Sequence, residues 1–276
     1  MKKFKILFGL LMSALLLTLA ISPAAAATLP GRDMIISTED GYFHGRHIDS
    51  VTYVPLYHFA DTFGGCVYGW SFSEGVAYAR ANGLYLTADP GDLYITANDR
   101  CFYTGEPVLD INGTVYVPIT PMAKAFGVTV DPVSYGEINL WGSGYNYCAH
   151  ASSVYSSDEL YWLSRIINAE AGGESMKGKM AVGNVVMNRV AHPSYPNTIY
   201  GVIFDRKYGT QFTPAANGTI YRTPNADSIR AAKMCLEGYS LSDDMLFFLN
   251  PRIASSMWIV RARTPVMSIG NHDFYS

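Results

Sequence analysis

The sequence predicts an α+β chain, with a repeated β-rich N-terminal part of ββα-like units followed by a mostly helical C-terminal part. Three observations carry this expectation. Residues 31–142 hold short alternating runs, such as Leu84-Tyr85-Leu86-Thr87 and Leu93-Tyr94-Ile95-Thr96, punctuated by Asn82-Gly83, Pro90-Gly91 and Asn112-Gly113. An ungapped internal repeat at a spacing of 63 residues lies inside this stretch. Beyond residue 157, apolar residues recur at helical spacing.

The 276 residues include 20 Lys and Arg against 23 Asp and Glu, a net charge of −3, which excludes a strongly basic nucleic-acid binder. Charged residues make up 16% of the chain and hydrophobic ones 49%. With roughly 25% charged residues usual in soluble proteins, this composition excludes intrinsic disorder.

Taken in order, Lys2, Lys3 and Lys5 precede an apolar run from Ile6 to Ile21, then Pro23 and Ala24-Ala25-Ala26-Ala27. This pattern predicts a secretory signal peptide over residues 1–27, the chain's only predicted membrane contact. Its removal leaves 17 basic and 23 acidic residues, a mildly acidic exported chain.

In the repeat, Tyr53-Val54-Pro55-Leu56 with Phe59-Ala60, Phe63-Gly64 and Val67 matches Tyr116-Val117-Pro118-Ile119 with Met122-Ala123, Phe126-Gly127 and Val130. Each copy predicts a strand, a Pro at a helix start, a short amphipathic helix, a Gly stop and another strand. Cys66, Cys101, Cys148 and Cys235 are too few for a disulfide scaffold and lack zinc-ligand spacing. A Cys66–Cys101 bridge and buried free thiols both remain open. His44, His47 and His58 fall on different predicted elements without supporting carboxylates, so no metal site is expected. Residues 143–157 are rich in Gly, Ser, Tyr and Ala without periodicity and predict a linker.

Residues 158–276 open on a capping box, Ser156-Ser157-Asp158-Glu159, that leads into Leu160, Leu163, Ile166 and Ile167 on one helical face. Glu170 falls on that same face. Burial there disfavours the carboxylate, so its pKa is expected to rise and leave a proton donor near neutrality, as a glycosidic general acid requires. A helix-end Glu leaning into solvent is the plain alternative. Glu174 follows Gly172-Gly173 and is either a second carboxylate or a cap for a helix from Met176 to Val190, whose core face carries Met180, Gly183 and Val186 or Met187. Asn188 either hydrogen-bonds a substrate N-acetyl group or closes that helix. Phe212, Tyr221 and Trp258 are either sugar-stacking platforms or core aromatics. Thr223-Pro224-Asn225 predicts a helix start with Thr223 as cap. Met245 to Leu249 and Val266 to Ile269 predict short strands, and His272 a satisfied core or surface histidine.

Two resemblances add to this. The repeat resembles the copper amine oxidase N-terminal-like domain of exported Gram-positive proteins, whose YVPLR element is similar to Tyr53-Val54-Pro55-Leu56-Tyr57 and Tyr116-Val117-Pro118-Ile119-Thr120. It implies no copper and an attachment to cell wall or to another exported protein. Basic residues usual in that family are missing at Tyr57 and Thr120, which removes support for an anionic polymer. The segments Asn168-Ala169-Glu170-Ala171-Gly172-Gly173-Glu174, Gly178 to Val190, Pro196-Asn197-Thr198-Ile199, Gln211-Phe212, Phe248-Leu249-Asn250-Pro251 and Ile269-Gly270-Asn271-His272 resemble SleB-type cell wall hydrolases, the spore cortex-lytic enzymes. That resemblance implies a lysozyme-like fold acting on peptidoglycan glycan strands without cofactor, as a secreted lytic transglycosylase with Glu170 as its catalytic glutamate; the alternatives are a hydrolase using a second carboxylate and a wall-binding or structural protein without activity. The wall in question is spore cortex or vegetative wall.

Overall fold

A computed structural model describes residues 29–132, 136–207, 209–254 and 256–276. The expected signal peptide, residues 1–27, lies outside them. The N-terminal half contains β1 (Arg32–Thr38), β2 (Gly41–Ile48), β3 (Val51–Pro55), α1 (Leu56–Gly64), β4 (Val67–Ser71), β5 (Val76–Ala81), β6 (Leu84–Ala88), β7 (Tyr94–Ala97), β8 (Arg100–Tyr103), β9 (Leu109–Ile111), β10 (Thr114–Pro118), α2 (Ile119–Phe126), β11 (Thr129–Pro132) and β12 (Glu137–Trp141).

The two copies do not stand as separate ββα halves. Their Tyr-Val-Pro strands, β3 and β10, pair antiparallel with Val54 opposite Val117, which fuses both copies into one seven-stranded sheet ordered β11-β12-β1-β2-β3-β10-β9. The intervening residues form a second sheet, the five-stranded meander β4 to β8. Its alternating pattern turns Ala77, Ala79, Leu86 and Ile95 inward, where they meet Phe59, Met122 and Phe126 of the two helices. The helix stops differ between the copies. Gly127 is left-handed at φ +66 as expected, whereas in the first copy Gly64 stays helical and the next residue, Gly65, turns left-handed at φ +50.

The expected linker is a packed strap. Cys148 N–H donates to Ala125 O at 2.9 Å, Tyr147 Oη donates to Gly64 O at 3.1 Å, and Asn98 Nδ2 donates to Cys148 O at 2.7 Å. All four cysteines are free: Cys66 sits in the N-terminal core, while Cys101 on β8 packs into the C-terminal one, so the bridge between them is not formed.

The C-terminal half contains α3 (Ser157–Ala171), α4 (Met176–Ala191), α5 (Ile199–Phe204), α6 (Thr213–Asn217), α7 (Ala226–Leu236), β13 (Phe247–Leu249), α8 (Trp258–Ala262), β14 (Pro265–Ile269) and β15 (His272–Tyr275). The capping box forms as its sequence requires, with Ser156 Oγ accepting from Glu159 N–H and the Glu159 carboxylate accepting from Ser156 N–H. Helices α3, α4 and α7 pack through Leu163, Ile166, Ile167, Met180, Ala231 and Cys235. A Cβ at Gly183 would lie within 2.8 Å of Cys235 Sγ and Ile167 Cδ1, so this glycine sets how closely the three helices approach. The cap of α7 is Asn225, which accepts from Ser228 N–H at 2.8 Å, not Thr223. The two expected strands are joined by a third, β15, in the order β13-β15-β14.

The halves meet around Glu237, whose side chain is 1% exposed. Its carboxylate takes Arg100 Nε and Nη2 at 2.7 and 2.5 Å, with Lys124 Nζ at 3.4 Å. Asp99 pairs with Lys233 at 2.5 Å beside it. Bidentate pairing offsets the desolvation of a carboxylate that is almost wholly removed from water.

Candidate active site

Glu170 lies in the last turn of α3, one turn beyond Ile166 and Ile167, both fully buried. The helical period therefore carries its carboxyl to the end of the apolar stripe, where it lines an open groove of about 640 Å3. Burial pushes its pKa up to about 7. At neutral pH a substantial fraction is the neutral acid.

Glu174 lines the same groove from the loop after α3. Its Oε1 accepts from Asn271 Nδ2 at 2.8 Å and its Oε2 from Asn271 N–H at 3.4 Å, while His272 Nδ1 stands 3.8 Å from Oε1. The hydrogen bond from Asn271 holds this carboxyl below its usual range, and the charge on Lys179, with that on His272 when its ring is protonated, acts in the same direction. Glu174 does not cap α4. Ser175 does so, accepting from Gly178 N–H at 3.3 Å, and the Glu174 carbonyl instead accepts from the buried Lys179 ammonium.

The groove thus holds two carboxyls whose surroundings push them apart, one kept as an acid by burial and one kept as an anion by hydrogen bonds. That separation is how a protein assigns different proton-transfer roles to chemically identical groups.

The remaining expected site residues divide. Trp258, half exposed at the start of α8, lines the groove, its ring edge-on to Phe247 at 5.8 Å. Phe212 also lines the groove but is buried, packed near Phe248 and under the Arg189 guanidinium at 5.2 Å, so it is a wall and offers no free face. Tyr221 lies outside the groove, exposed in a separate aromatic group edge-on to Trp162. Asn188 also lies outside it. Its Nδ2 donates to Ser242 O at 2.9 Å and Met245 O at 3.0 Å, which fixes the loop before β13 and leaves no amide proton for a substrate.

Sequence reasoning passed over Arg189, one residue on, which helical geometry turns about 100° away from Asn188. Arg189 is buried in the groove wall, donating from Nε to Leu246 O at 2.8 Å and from Nη1 to Gln211 Oε1 at 3.4 Å. His272 was expected to be satisfied. It is 8% exposed, lines the groove, and its Nδ1 has no hydrogen-bond partner. Burial lowers its pKa, which favours the neutral ring.

Among the described residues, no three His, Cys, Asp or Glu side chains gather where they would hold a metal ion. His44 pairs with Asp33 at 2.7 Å, His47 lies 3.2 Å from Thr52 Oγ1, and the His58 ring packs at a tilt against Tyr57 at 4.0 Å.

Comparison with known proteins places residues 173–275 in the Cell Wall Hydrolase family model, a match that begins three residues after Glu170. Residues 44–136 match the copper amine oxidase N-terminal domain. A spore cortex-lytic enzyme of Bacillus cereus is 36% identical over 120 residues, covering 44% of this chain and 45% of that protein. One from Bacillus subtilis is 34% identical over 126 residues, covering 46% and 40%. The chain therefore spans less than half the length of these curated relatives. Among solved structures, the catalytic domain of the germination-specific lytic transglycosylase SleB from Bacillus anthracis is 35% identical, with a TM-score of 0.40, covering 44% of this chain and 97% of that one.

Proposed function

For a chain that carries a cell wall hydrolase domain behind a copper amine oxidase N-terminal domain, we propose an exported enzyme that cleaves peptidoglycan glycan strands between N-acetylmuramic acid and N-acetylglucosamine. The single observation that carries this is the half-buried Glu170 carboxyl at the end of an apolar stripe, lining the groove, where desolvation pushes its pKa up to about 7. In the neutral form it donates its proton to the bridging oxygen, and positive charge develops on the muramyl ring. The ionised Glu174 in the same groove favours that charge electrostatically. Glu170, now a carboxylate, accepts the proton of the muramyl 6-hydroxyl as that oxygen closes an anhydro ring. One group serves both steps, and the reaction is that of a lytic transglycosylase.

A second reading, a hydrolase, is favoured by how firmly Asn271 holds Glu174 as an anion. An ionised second carboxylate about 5 Å from the acid acts as nucleophile, and one roughly 6.5–9.5 Å away directs a water. Export rests on the Lys-flanked apolar segment of residues 1–27, and action in spore cortex or cell wall rests on the kinship with the cortex-lytic enzymes. Purified chain should release soluble fragments from isolated wall, and Glu170→Gln should abolish release without any loss of stability. An active Glu170→Gln chain would exclude Glu170 as the acid.

A further inference from the structure

Beta strand β4 is one of the two outer strands of the five-stranded sheet. Its Tyr68 lies opposite Ala79 and its Trp70 opposite Ala77, and residues paired in this way share a face. Ala77 and Ala79 are buried, so Tyr68 and Trp70 stand on the core side of the sheet. They nevertheless remain 42% and 40% exposed, because the core ends before it reaches the edge strand. Tyr57 of α1, 38% exposed, brings its ring centroid to 6.0 Å from that of Tyr68. Together they line a cleft of about 360 Å3 with Leu56, Ala77, Thr114 and Val115.

We propose that this cleft is a glycan-binding site, separate from the groove of Glu170, that takes the uncharged sugar rings of the wall polymer. The choice of sugar rests on the function proposed above; the chemistry of the cleft rests on its own residues. None of its lining side chains is an Asp, Glu, Lys or Arg, so a charged polymer finds no counter-charge there. Its aromatic rings offer flat apolar faces with phenol and indole groups at their rims, which complements a pyranose with a C–H face and a hydroxyl rim. Its volume lies within the range of small-ligand sites, about 300–1,000 Å3. A second hold on one polymer raises the effective concentration of substrate at the first without any new contact there.

The test uses the full chain carrying Glu170→Gln, so that the polymer stays intact, and insoluble purified peptidoglycan, whose muramyl carboxyls are held in amide bonds to the stem peptides. Cosedimentation affinity is expected to fall about five- to tenfold in Trp70→Ala, the loss of one stacked ring, and to survive in Trp70→Phe. Soluble N-acetylglucosamine oligomers are expected to compete. Unchanged retention of Trp70→Ala overturns the proposal, as does competition by stem peptides or polyphosphate in place of sugar. Should Trp70→Ala melt early, Tyr57→Ala, on the helix surface, reads the same site. A chain with Glu170 in place that binds glycan through Trp70 but leaves wall uncut contradicts the proposed cleavage alone. A chain that cuts wall but binds equally well without Trp70 contradicts the aromatic cleft alone.

Discussion

The side-chain amide of Asn271 holds Glu174 Oε1 at 2.8 Å, tying the turn between β14 and β15 to the loop that leaves α3, 97 residues earlier in the chain. Gly270, at φ +60, makes room for it, since a Cβ there would collide with the Glu174 carboxylate. The bond sets the ionisation of Glu174. Its pKa is depressed in the fold, so its contribution to stability is present above the unfolded value and is lost as pH falls through the folded one. Asn271→Ala should raise the Glu174 pKa, seen by NMR titration, and move the acid limb of the activity profile to higher pH.

Glu170 has the opposite sign. Between its ordinary value of 4.5 and about 7 the folded chain keeps a proton that the unfolded chain releases, so stability declines across that window and then levels off. Glu170→Gln should therefore raise stability above pH 7 by about 1–3 kcal/mol in denaturant melts. Activity of the unsubstituted chain should fall on the alkaline side with an apparent pKa near 7.

Glu237 is predicted to be the most sensitive residue between the halves. Replacing it with Ala leaves Arg100 without its bidentate partner in a buried setting, and a loss of about 3–5 kcal/mol is expected in denaturant melts. Lys233→Ala, whose Asp99 partner is exposed, should change stability by less than about 1 kcal/mol.

The aromatic residues should separate by position. Trp258→Ala is expected to raise KM about three- to tenfold with the melting temperature little changed, since its half-exposed ring lines the groove. Phe212→Ala should lower stability by about 3–5 kcal/mol, because its ring is buried. Tyr221→Ala should leave turnover unaltered, its ring being outside the groove.

Local rules made much of this legible. The capping box, the apolar stripe under Glu170, its raised pKa and the existence of a Tyr-Val-Pro strand in each copy follow from periodicity and short-range chemistry. Long-range placement was not legible. Nothing near Glu174 announces Asn271, and no period announces that β3 and β10 pair with each other and build one sheet. Asn188 and Arg189 are adjacent in sequence, yet which of the two faces the groove depends on how α4 packs against the loop at Ser242 and Met245. The aperiodic stretch 143–157 held no signal of the surface it packs against, because its bonds to Gly64, Asn98 and Ala125 are set by tertiary structure.

The most direct test is mass spectrometry of the fragments that the chain releases from purified peptidoglycan, with Glu170→Gln as its control. Muramyl ends are expected in the anhydro form, lighter than the hydrated product by one water, with no fragments from the substituted chain. Reducing muramic acid or glucosamine ends would contradict the transglycosylase chemistry, and fragments released by Glu170→Gln would contradict the central role of Glu170.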